Sequence, residues 1–154
     1  MILGIDPGLA NTGWAVLADE HTLVKCGCLV TKIDDSSAER LLKIYQELDG
    51  LIKQYEIGEV AIESLFFAKN EKSAMKVAEA IGVIKLCGAK NGLRVIDFTP
   101  MQVKMALVGY GKADKEQVEI MVRTFLNLDK PISPSHASDA VAVALTSIFT
   151  MRVE

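Results

Sequence analysis

Four side chains in this sequence of 154 residues have the types and placements to do chemistry together. Asp6 ends the apolar run Met1-Ile2-Leu3-Gly4-Ile5, and Glu63 ends a second run, Val60-Ala61-Ile62. An ionised carboxylate at the mouth of a buried strand needs a compensating charge, because burying it unpaired is strongly unfavourable. His136 and Asp139 lie three positions apart in a stretch that is apolar nearly all round, residues 135–145. On a helix that spacing puts them on one face. Taken singly, Asp139 reads equally well as a carboxylate serving a helix dipole and His136 as a capping or surface imidazole. Together, in a helix too apolar to solvate them, they favour ligation. Carboxylate oxygens with one imidazole suit Mg²⁺ or Mn²⁺, which take few protein ligands and leave positions open for phosphate oxygens. Two such ions about 3.5–4 Å apart can activate a water and stabilise the leaving oxygen of a phosphodiester. Cys26, Cys28 and Cys87 fit no zinc spacing and read as core packing in a reducing compartment.

The elements that must position these groups follow from the apolar periodicity. Residues 2–5, 13–18 and 23–31 read as three strands, the latter two joined by the polar tetrad Asp19-Glu20-His21-Thr22, which predicts an antiparallel meander. Helical spacing over residues 37–55, capped by Ser36 or Ser37, ends at Gly58, and residues 59–63 form a fourth strand. A helix over 70–90 carries Ala74, Val77, Ala78, Ile81 and Ile84 on one face, and 93–98 is a fifth strand. A short helix over 101–107 precedes the loop Gly109-Tyr110-Gly111. Asp114 with Gln117 makes a capping box for a helix burying Val118, Met121, Val122 and Phe125. After a loop with two prolines, the last helix begins near His136. This order predicts an α/β fold with a mixed five-stranded sheet, a meander of strands one to three followed by parallel strands, and helices on both faces. If strands one and four are parallel neighbours, Asp6 and Glu63 emerge at the same carboxyl edge, where ligands of such sheets bind.

Composition narrows the class. The length fits a single domain over residues 1–154, and half the residues are apolar, which excludes a disordered chain. No run approaches the roughly 20 apolar residues of a membrane span, and no signal peptide precedes Asp6, so the expectation is a soluble cytoplasmic protein with no membrane partner. The net charge of −3 is unevenly spread. Residues 1–68 carry 5 basic and 11 acidic side chains, whereas residues 69–130 carry 11 basic and 7 acidic ones. A half able to hold a cation thus precedes one able to meet phosphates.

The order Gly4-Ile5-Asp6-Pro7-Gly8, Ile62-Glu63 and His136-Ala137-Ser138-Asp139-Ala140 resembles the RuvC-type Holliday junction resolvases of the ribonuclease H-like superfamily. Further segments fall in register: Phe66-Phe67-Ala68-Lys69-Asn70, Gln102-Val103-Lys104, and Val108 through Lys115. The resemblance implies a crossover junction endodeoxyribonuclease that nicks four-way junction DNA in pairs, leaving 5′-phosphate and 3′-hydroxyl ends. It implies that Asp6, Glu63, His136 and Asp139 are catalytic metal ligands for Mg²⁺, with Mn²⁺ able to substitute and two ions per site. His136 stands where many relatives carry Asp. A ligating imidazole must be neutral, so activity should fall as pH drops through its titration.

The resemblance also places Phe66 against opened bases, where an aromatic ring stacks on any base for about 1–3 kcal/mol; Phe67 is expected to be buried. Lys104 and Lys115 are placed nearest the scissile phosphate, since a phosphate beside three acids needs cations on its other side. Lys69, Lys72, Lys76, Lys85 and Lys112 either track the DNA arms or solvate the surface. Paired nicks imply a twofold homodimer, with Met75, Gly82 and Leu86 of the 70–90 helix as the candidate interface and a branch-migration helicase complex as a further partner. Three other classes compete. They are a ribonuclease H-like enzyme acting on ribosomal RNA precursors, a non-catalytic junction binder, and an actin-like ATPase or sugar kinase. The last needs a second domain that the sequence does not repeat.

Overall fold

The opening apolar run forms β1 (Ile2–Asp6), which sits at the centre of a five-stranded sheet of order β3-β2-β1-β4-β5. The computed structural model describes residues 1–64 and 71–151. β2 (Asn11–Asp19) and β3 (Thr22–Val30) complete the antiparallel meander. β4 (Glu59–Glu63) and β5 (Arg94–Phe98) then add in parallel, each strand of the pair β1 and β4 ending level with the other through Ile5 opposite Ile62. The sheet is the mixed five-stranded arrangement expected, with β3 and β5 at its edges.

Helices cover both faces. On one side α1 (Ser37–Gln54) and α2 (Glu71–Lys90) bury Ile44, Leu48, Ala80, Ile84 and Cys87 against Leu3, Ile5, Val16, Val60 and Ile62. On the other, α3 (Pro100–Val108), α4 (Lys115–Leu126) and α5 (Ser135–Met151) pack Val103, Val122, Val141 and Leu145 against Ala15, Leu17, Ala61 and Phe98. Side chains alternate across a strand. With Leu3 and Ile5 committed to the α1–α2 side, Gly4 and Asp6 face α5; with Val60 and Ile62 likewise committed, Ala61 and Glu63 face α5.

Local signals set the helix starts. Ser36 and Glu39, Thr99 and Gln102, and Asp114 and Gln117 form three capping boxes, with Pro100 in the first turn of α3. Gly109 and Asn127 close α3 and α4 in the left-handed conformation, at φ 76° and 56°.

Two expectations need correction. In α2 the core face carries Ala80, Ile84 and Cys87; Ala78 is exposed and Ala74 and Ile81 are half-buried. Of the cysteines Cys87 is in the core and Cys26 packs against the core, whereas Cys28 does neither. Cys26 and Cys28 are half-buried because β3 is an edge strand, though burial still pushes both thiols up. No described helix is long and apolar enough to cross a membrane.

Candidate active site

α5 approaches the sheet more closely than ordinary side chains would allow. A Cβ added at Gly4 would strike the Ala140 carbonyl and Ala144, and one at Gly13 would strike the His136 carbonyl. These glycines, matched by Ala137, Ala140 and Ala144, let the first turns of α5 lie directly over the ends of β1 and β2. The loop after Asp6 is pinned by the buried Thr12, whose hydroxyl donates to the Gly8 carbonyl at 2.6 Å. Neither Gly4, Gly13 nor Thr12 was singled out from the sequence for this role, although a glycine inside a strand pattern signals close backbone approach.

The result is a cluster. One ligand atom from each of Asp6, His136 and Asp139 lies within 4.8 Å of the others. His136 Nδ1 and Asp6 Oδ2 are 2.7 Å apart, and Lys115 Nζ donates to Asp139 Oδ2 at 2.8 Å. Glu63 stands beside this triangle and lines a cleft of about 190 Å³ with Lys104, Lys115 and Asp139. The structure thus brings together Asp6, Glu63, His136, Asp139, Lys104 and Lys115. Lys112 is exposed in the turn before α4 and is not among the residues lining that cleft. Lys85 is paired with Asp97 at 2.7 Å, and Lys76 lies on a different groove. Phe66, Phe67 and Lys69 lie outside the described residues.

Burial and mutual repulsion act together on these acids. Burial pushes the Glu63 carboxyl up to about 7, and the charges of Asp6 and Asp139 add to that rise, against Lys115 and Lys104. Asp6 is also raised by burial, with the His136 hydrogen bond opposing. Lys115 is raised, chiefly through its bond to Asp139. A divalent ion would offset this mutual repulsion, and two carboxylate oxygens with an imidazole nitrogen are a donor set for a divalent cation. The residues present therefore fit a metal.

Together, fold and site define a ribonuclease H-like α/β protein with a cation-compatible acid cluster at the carboxyl edge of its sheet. The family model described as Crossover junction endodeoxyribonuclease RuvC matches residues 2–147, and the chain belongs to that family. A curated relative of the same description from Natranaerobius thermophilus is 47% identical over 148 residues, 94% of this chain and 92% of its own. The solved Thermus thermophilus RuvC structure is 35% identical with a TM-score of 0.92, covering 99% of this chain and 95% of that one. A second Thermus thermophilus RuvC structure, in complex with a Holliday junction substrate, is 34% identical with the same TM-score over 99% and 94% of the two chains.

Proposed function

We propose that this chain is a structure-specific endonuclease that binds Holliday junctions and resolves them by paired symmetric nicks, in DNA recombination and repair. The observation that carries it is the convergence of Asp6, His136 and Asp139 beside Glu63, with Lys104 and Lys115 on the same cleft wall. Membership of the RuvC family and the junction-bound relative support the choice of substrate.

Asp6, His136 and Asp139, with Glu63 at their side, would hold Mg²⁺ or Mn²⁺, two ions in the working site. When bound, such ions supply an activated water and Lewis-acid stabilisation of the departing oxygen, giving 5′-phosphate and 3′-hydroxyl ends. His136 orients the Asp6 carboxylate through its 2.7 Å contact. Lys115, two-thirds exposed, is long enough to leave Asp139 for a phosphate oxygen, and Lys104 supports it from α3. Phe66 would stack on an opened base, and Lys69 and Lys112 would meet the arms.

Two nicks of like polarity need two sites, which a twofold homodimer supplies. The exposed stripe Met75, Ala78, Gly82 and Leu86 of α2 is the candidate interface; Met75 and Leu86 are 67% and 57% exposed. Residues 1–154 act in this reading as one cytoplasmic nuclease domain, working with a branch-migration helicase. The test is incubation with mobile and immobile four-way junctions, duplex DNA and structured RNA, with and without Mg²⁺. Paired nicks in the junction alone, requiring Mg²⁺, are expected; cleavage of RNA in preference, or nicking without a divalent ion, would overturn the reading.

A further inference from the structure

The acid cluster has a second basic neighbour. Beyond the loop that follows Asp6, on the side of the sheet covered by α1 and α2, lies a groove of about 480 Å³. Its walls include Pro7 through Asn11, Arg40 of α1, Lys76 of α2 and His136. No carboxylate is among its described lining residues. The cleft with Lys104 and Lys115 lies on the opposite side, between α3, α4 and α5. His136 lines this groove, and Asp139 of the same cluster lines the other cleft.

Arg40 belongs to the acidic half of the sequence and carries none of the motifs above. It is nonetheless a built element. It is half-buried, and its Nε donates to Thr31 Oγ1 at 2.8 Å. That hydroxyl donates to the Leu9 carbonyl at 2.6 Å, and the Thr31 amide donates to the Ala10 carbonyl at 3.0 Å. Thr31 is 6% exposed. One buried hydroxyl therefore fixes Arg40 and the loop after Asp6 to each other. With Nε so used, the two terminal nitrogens make no hydrogen bond among the described residues and remain for a ligand. Of the nearby acids, Glu39 is held by Ser36 in the α1 cap, and Asp34 and Asp35 do not line the groove.

We infer that Arg40 and Lys76 form a phosphate subsite that holds the cleaved DNA strand on the side of the acids away from Lys104 and Lys115. The inference rests on the junction-nuclease reading above. A DNA strand presents one phosphate for every ~3.4 Å of helix axis, so a strand seated at the acids must lay further phosphates on either side. A guanidinium fixed at Nε meets a phosphate with its remaining nitrogens already oriented. The exposed Lys76 of the same groove adds charge on a flexible stem, without fixed geometry.

The experiment uses the full-length protein and a mobile four-way junction with Mg²⁺, comparing wild type, Arg40→Ala, Lys76→Ala, the double variant and Arg40→Lys. Loss of two phosphate contacts should make the plot of log affinity against log salt shallower by about 1–2. Nicking should show KM raised about 5–10-fold with kcat within about twofold, the pattern of lost uniform binding. Arg40→Lys should restore the salt slope while leaving KM partly raised. An Arg40 that merely ties α1 to β3 would lower the melting temperature without moving the slope. A double variant with wild-type slope and KM, in a preparation whose wild type nicks the junction, overturns the subsite alone. A wild type that neither binds nor nicks junctions overturns the reading beneath it and the subsite with it.

Discussion

The two faces of the sheet are packed by opposite means. Toward α1 and α2 the strands present Leu3, Ile5, Val16, Val60 and Ile62, met by Ile44, Leu48 and Ile84. Bulky aliphatic side chains keep the layers a full side chain apart and bury much apolar surface. Toward α5 the strands present Gly4, Gly13 and Ala15, met by Ala137, Ala140 and Ala144. There backbone nearly touches backbone. Beside Asp6, His136 and Asp139 the contact is built from the smallest residues, while Leu17, Phe98, Val141 and Leu145 fill the rest of that layer. The difference separates two duties: bulky side chains stabilise the molecule, and the glycine and alanine seam under α5 sets distances.

The sharpest test removes a charge from the close-packed face without changing its shape. Asp6→Asn should keep junction binding and lower single-turnover nicking by at least about 10³-fold, roughly 4 kcal/mol of transition-state stabilisation. Retention of wild-type nicking would end the catalytic assignment. On the other face, Leu48→Ala should lose about 2–5 kcal/mol of stability by denaturant melting yet leave the nicking rate per folded molecule unchanged. A large fall in that rate would mean that the two duties are not separate.

Gly13→Ala inverts the pattern. Its new methyl meets the His136 carbonyl, so about 1–3 kcal/mol of overpacking strain is expected. The displaced His136 and Asp139 should lower nicking by about 10²-fold. Full activity in this variant would show that the close approach is dispensable. The smallest effect concerns Glu63, whose folded carboxyl sits at about 7 against an ordinary 4.5. Between those values the native state binds more protons than the unfolded one, so this group lowers stability as pH rises through the window, and fully so above it. In chelator, Glu63→Gln should melt higher than wild type at pH 8, by about 1–2 kcal/mol, and nearly level with it at pH 4.5. Adding Mg²⁺ should narrow the pH 8 gap, and an unchanged gap would argue against ligation near Glu63.

Much of this arrangement was legible in the residues. Alternation alone puts Asp6 and Glu63 on the same face once their neighbours are known to be buried, and the i, i+3 pair of α5 needs only helical geometry. Asp114 with Gln117 announced its capping box. Periodicity misplaces the core face of α2 for a physical reason. Alanines occur on both sides of that helix, so Ala78 and Ala80 are interchangeable to periodicity, and only the packing of Ile84 and Cys87 chooses between them. Gly4 and Gly13 were visible as strand glycines, but what they make room for lies more than 120 residues away in the chain. Arg40 had no local signal at all; its place depends on Thr31 and on the loop after Asp6.

The contact between Asp6 and His136 spans 130 positions of sequence. During synthesis, β1 leaves the ribosome long before α5 exists, and any pairing of β1 with β2 before then has its α5 side bare. Until the last helix arrives, that side leaves Leu17 and Phe98 uncovered beside Gly4, Gly13 and Ala15, so docking of α5 also removes an aggregation hazard. The acids also remain apart from their histidine through that interval. The cluster of Asp6 with His136 and Asp139 can therefore be completed only once the final helix has been made.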